Sequence, residues 1–147
     1  MKKLICLLII LLLTLLVTWP LSQHLNDYIV DRYDGLLITW FLNWSVQHPL
    51  NFNANIFYPY KNTLAFSETM LPQALIAMPL VLLIGEPLLA YNFNLLLGFI
   101  LTGISTFLLV EHLTKKYPIA FLVAIIFTFS TIHLNYLSHI QLFNFWP

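Results

Sequence analysis

From Leu88 to Val110 the chain runs for 23 residues without a charged side chain. Crossing the hydrocarbon of a bilayer takes about 20 apolar residues in a helix. In lipid a lone segment must bond its own backbone groups, and a helix does so internally. The alternative is a helix buried inside a large soluble core. Composition argues against it: 8% of the residues are charged and 60% are hydrophobic, where a soluble domain carries about 25% charged residues. Too few polar side chains remain to cover a water-facing surface, so the expected fold class is an all-α membrane protein. A formal net charge of zero gives a nucleic-acid partner no electrostatic support. Cys6 is the only cysteine, which rules out a disulfide within the chain or a thiolate metal framework. Four glycines make a glycine-rich nucleotide loop a poor reading.

Two lysine pairs set the expected topology. Lys2 and Lys3 precede the uncharged run Leu4–Trp19, which Pro20 closes. A signal peptide has the same basic start, but it needs small residues at its cleavage site. Val17-Thr18-Trp19-Pro20-Leu21 offers mostly bulky ones, so a retained first span is the better reading. Lys115 and Lys116 follow the run Leu88–Val110. Basic loops mark the cytoplasmic side, so both lysine pairs belong inside. Two crossings then fit between them, Leu4–Trp19 and Leu88–Val110. Met70–Ile84 is short, contains Pro72 and Pro79, and ends at Gly85-Glu86-Pro87; it is expected to be an interfacial or re-entrant helix. Ile119–Ile132 returns outward as a third span. The resulting expectation is a multi-pass protein of the cytoplasmic (inner) membrane with its N-terminus inside. Residues 20–87 form a large outer loop, and residues 133–147 lead to a further span. The aromatic ending Phe143-Asn144-Phe145-Trp146-Pro147 has no polar tail and predicts a fragment of a longer protein.

Within the outer loop, Asp31-Arg32-Tyr33-Asp34 holds three of the twelve charged side chains. Charges near lipid are costly and mark functional sites by default. If residues 27–34 are helical, Asp27, Asp31 and Asp34 share one face. Gly35–Gln47 reads as an amphipathic helix in the membrane interface, with Leu37, Phe41, Trp44 and His48 on one side and Thr39, Asn43 and Gln47 opposite. Trp40 and Trp44 read as interface anchors in preference to ligand-stacking rings. The topology carries His133, His139 and Gln141 to the side of Asp34. Asn51–Thr63, rich in asparagine and aromatics, reads as an ordered loop that either bonds a polar ligand or makes turns and anchors at the interface. Competing structural roles stand beside each choice. Asp34 is a general base or a helix N-cap; Asp31 is a partner acid or a solvated loop charge. Arg32 binds phosphate or meets lipid headgroups. Glu68 binds a donor or metal, or starts the helix that follows.

The segment Asn55-Ile56-Phe57-Tyr58-Pro59-Tyr60-Lys61-Asn62-Thr63-Leu64-Ala65-Phe66-Ser67-Glu68, the stretch Ser138-His139-Ile140-Gln141-Leu142, and the long span ending in Glu111-His112-Leu113-Thr114-Lys115-Lys116 together resemble one family. The chain is similar to the N-terminal part of the GT-C-type integral membrane glycosyltransferases, which include protein O-mannosyltransferase-like and aminoarabinose-transferase-like enzymes. The resemblance implies a catalytic base in the first outer loop, which Asp34 matches best, with Asp31 as the nearest second acid. The spacing Asp31-Arg32-Tyr33-Asp34 departs from an adjacent acidic pair. It also implies a polyprenyl-phosphate sugar donor as partner, met by membrane lipid and by polar residues for which Arg32, Lys61, Glu68, His139 and Gln141 are the candidates. Departing phosphate charge would be offset by Arg32, Lys61, a histidine or a divalent metal. Two other classes remain open on the residues alone: a transporter or lipid flippase, and a non-catalytic envelope assembly protein.

Overall fold

The computed structural model describes residues 2–67 and 70–144. Every regular element among them is helical. Helix α1 spans Lys2–Val17, α2 Asp34–Gln47, α3 Leu71–Pro79, α4 Pro87–Thr114, α5 Tyr117–Thr128 and α6 Thr131–Asn135. Short 3-10 turns occupy Leu21–Gln23, Thr63–Phe66 and Ile140–Asn144.

Proline and glycine punctuate these helices in the places the backbone allows. Pro72, Pro87 and Pro118 all sit in first turns, where the missing N–H breaks no helical bond. Pro79 ends the α-helical part of α3, and the chain continues as a wider π turn, Leu80–Ile84. Gly85 closes that turn at φ +82°, its N–H donating to the carbonyls of Leu80 and Val81 at 3.2 and 3.1 Å. Only glycine takes that conformation without steric cost.

Among the described residues, two helical stretches are long and apolar enough to cross a membrane: α4, and the α5–α6 stretch Tyr117–Asn135. With 28 residues, α4 is about 42 Å long, longer than a hydrocarbon core of about 30 Å. α1 has 16 residues, about 24 Å. The expected third span at Ile119–Ile132 is interrupted at Phe129–Ser130. His133 Nδ1 lies 3.0 Å from the Thr128 carbonyl at that break.

α4 is the central post. At one end α1 and α5 lie against it through Ile10, Phe107, Ala120 and Ala124. Small residues allow the close approach: a Cβ on Gly103 would stand 2.6 Å from Ile10 Cγ2 and 3.2 Å from Thr128 Oγ1. Lys3 Nζ meets Glu111 Oε2 at 3.1 Å and lies over the Tyr117 ring. The start of α1 is thereby fixed beside the end of α4, and Lys3 shares that end of the bundle with Lys115 and Lys116. At the other end α2 and α3 pack against the first half of α4 in a larger core that includes Phe41, Leu42, Ala77, Tyr91, Leu95 and Phe99.

Two expectations need correction here. Residues 27–33 are turns and extended chain, so Asp27, Asp31 and Asp34 do not share a helical face; Asp27 instead sits 3.3 Å from His24. The buried face of α2 is Gly35, Ile38, Thr39, Phe41, Leu42, Ser45 and Val46, while Leu37 is exposed. The supposed polar side was misassigned because Thr39 bonds its hydroxyl to the Gly35 carbonyl at 2.7 Å. A threonine that satisfies itself within the helix can be buried like an apolar residue.

Candidate functional site

Asp34 is the first residue of α2, and Tyr33 holds the N-cap position. The N-cap reading of Asp34 is thereby corrected: its side chain is one residue too far into the helix. A carboxylate in the first turn still offsets the positive helix end. Asp31 takes a local job instead. Its Oδ1 accepts from the Tyr33 N–H at 2.9 Å, a turn-closing bond that sets the chain's entry into α2.

Two consecutive side chains of α4 position everything else. Asn92 is fully buried, and its Nδ2 donates to the carbonyls of Leu25 and Tyr28 at 2.8 and 2.7 Å. That fastens the loop leading to Asp34. Tyr91, also fully buried, donates its hydroxyl to the Ser138 carbonyl at 2.7 Å. That fastens the segment carrying His139. Successive helical residues point about 100° apart, so one turn of α4 can hold both lips of a cleft. Gly35 lets α2 come close: a Cβ there would meet the Ile29 side chain at 3.0 Å and the Tyr91 hydroxyl at 3.4 Å. Neither Tyr91 nor Asn92 figured as a site residue on sequence grounds. Their signal was two hydrogen-bonding side chains in the first turns of an otherwise apolar run.

Between the lips lies a cavity of about 180 Å³ lined by Asp34, Leu37, Ile38, Phe41, Ser67, His139 and Gln141. His139 Nε2 is 3.8 Å from Asp34 Oδ2, with the side chains 30% and 54% exposed. That separation is an ion-pair distance and too long for a hydrogen bond. His139 Nδ1 lies 2.9 Å from Ser138 Oγ, which orients the ring. Gln141 lines the same cavity, and its Oε1 is buried with no hydrogen-bond partner among the described residues. The cavity thus presents a carboxylate and an imidazole nitrogen, with an amide side chain in its wall.

The structure therefore brings together Asp34, His139 and Gln141. Arg32 and Lys61 are exposed and do not line the cavity. Glu68 lies outside the described residues. His133 turns back to the end of α5, its ring edge-on to Phe127 at 5.3 Å, and His48 stacks on Trp44 at 4.2 Å. A divalent metal fits poorly here, because no group of three His, Cys, Asp or Glu side chains exists among the described residues. Comparison with protein-family models, curated proteins and solved structures gives no match, so the family resemblance rests on the residues alone.

Proposed function

We propose that the chain acts in a multi-span membrane glycosyltransferase of the GT-C type. It moves a sugar from a polyprenyl-phosphate carrier to an acceptor outside the cytoplasmic membrane, with Asp34 as general base. Its α1, α4 and α5–α6 act as the first three spans, and the Asp34 cavity faces the outer side. One observation supports this reading above the others: the Asp34 carboxylate opens into a cavity with His139 and Gln141, and no hydrogen bond from the described residues ties it up.

In the proposed step the acceptor oxygen attacks the anomeric carbon as its proton passes to the Asp34 carboxylate. The bond between that carbon and the phosphate oxygen breaks, and the lipid phosphate leaves with the electron pair. His139, when protonated, offsets the growing charge. Gln141, in the cavity wall, is the candidate sugar contact. No metal enters the scheme.

The transporter alternative has less support. Transporters place substrate sites on discontinuous helices at mid-membrane. α4 is unbroken for 28 residues; its side chains Tyr91, Asn92, Asn94 and Ser105 each donate to a backbone carbonyl, while Asn92 Oδ1, Asn94 Oδ1 and Thr106 Oγ1 have no hydrogen-bond partner among the described residues. The test uses the full-length protein in native membranes with a labelled polyprenyl-phosphate sugar. Asp34→Asn is expected to lower turnover by roughly 10²–10⁴-fold at equal expression. Turnover equal to wild type would remove Asp34 from the chemistry, and transport of the labelled lipid without sugar transfer would favour the flippase.

A further inference from the structure

The loop formed by residues 51–66 has a buried base and an exposed tip. Ala54, Thr63 and Leu64 are buried. The Leu64 N–H donates to the Phe52 carbonyl at 3.0 Å, and the Asn62 N–H to Asn53 Oδ1 at 3.3 Å. At the tip the Tyr60 N–H closes onto the Phe57 carbonyl at 3.0 Å. Above this fixed base four rings stand in the open: Tyr58 is 96% exposed, Phe66 86%, Tyr60 74% and Phe57 70%. With Thr63 they border an open groove of about 370 Å³. Water alone is a poor neighbour for so much clustered ring surface.

We propose that this tip is an interfacial anchor, seated among the headgroups of an anionic lipid surface. Amphipathic rings favour that depth, where a phenol meets water while the ring face meets acyl chain. The charge pattern fits the same partner. Lys61 is the only charged side chain from Gly35 to Ser67, so the segment that carries the rings is net positive. A basic residue beside membrane-seated rings draws the loop to anionic lipid. The position fits as well. Trp19, 65% exposed, follows α1 at the end of the bundle opposite the Lys3–Glu111 contact. Phe66 borders the groove and Ser67 lines the Asp34 cavity, so lipid contact at the tip fixes the height of that cavity above the acyl chains. This anchor does not depend on the reaction proposed for Asp34.

The experiment places the full chain in nanodiscs of phosphatidylcholine alone and of phosphatidylcholine mixed with phosphatidylglycerol. An environment-sensitive fluorophore is attached through Tyr58→Cys, or separately Phe66→Cys, in a Cys6→Ala background, with exposed Asn26→Cys as reference. Both tip labels are expected to be quenched several-fold more by nitroxide lipids than the reference, and protected from aqueous iodide. Lys61→Gln is expected to abolish the extra quenching that phosphatidylglycerol confers. Iodide access equal to that at position 26 would overturn the proposal. So would shielding from both quenchers, which would mean that protein covers the tip.

Discussion

The two ends of α4 are held by different physics. Around Gly103 the helices touch through small residues, and the fit is steric: Ile10, Ala120 and Ala124 are all fully buried. Around Tyr91 and Asn92, α2 and α3 also pack on α4, but two loop segments are held there by three hydrogen bonds from two side chains. A steric fit is shared by every atom across the contact and fails as a unit. A hydrogen-bonded loop fails locally, because each bond secures one segment. The contrast explains how the cleft can carry exposed polar groups without loosening the bundle.

Three substitutions test that contrast, in descending order of effect. Gly103→Leu forces a side chain into space already filled by Ile10. Overpacking of this kind costs about 3 kcal/mol, and thermal unfolding in detergent is expected to fall for the whole chain. Asn92→Ala strips the donors from the Leu25 and Tyr28 carbonyls at about 2 kcal/mol. Its expected signature is faster hydrogen exchange across residues 24–33, with a melting temperature closer to wild type than that of the glycine variant. Equal loss of global stability in both variants would erase the distinction between the ends. Tyr91→Phe keeps the ring and loses one bond, about 1 kcal/mol, and should open residues 136–140 to exchange while leaving 24–33 protected.

The smallest effect is expected inside the cleft. Asp34 and His139 are partly exposed and 3.8 Å apart, a geometry worth under about 1 kcal/mol. A double-mutant cycle of Asp34→Asn and His139→Gln should return a stability coupling in that range. A coupling of several kcal/mol would mean that the pair is structural, and would sharpen the comparison by giving the cleft a lock of its own.

Much of the helical framework was readable from punctuation. Pro72, Pro79, Gly85 and Pro87 bracket α3 and the start of α4, because their backbone limits act whatever surrounds them. The face of α2 was not readable. Apolar periodicity assigns Leu37 to the interior and Thr39 to the exterior, yet Thr39 satisfies its own hydroxyl and α4 takes the side it lies on. The roles of Asp31 and Asp34 at the start of α2 depended on one residue of register, which propensity does not fix. Counting crossings puts Asp34, His139 and Gln141 on one side of a membrane; that they line one cavity is seen only in the structure. Lys61 is exposed and does not line it.

By itself the sequence determined that the chain is helical, apolar and built around the run from Leu88 to Val110. Those properties come from side-chain chemistry and backbone limits, which are local. Only the tertiary structure decided that Tyr91 and Asn92 bridge two segments 47 and 64 to 67 residues away. A buried amide must find partners somewhere, but which carbonyls it finds depends on how the loops close over α4, and no local rule specifies that.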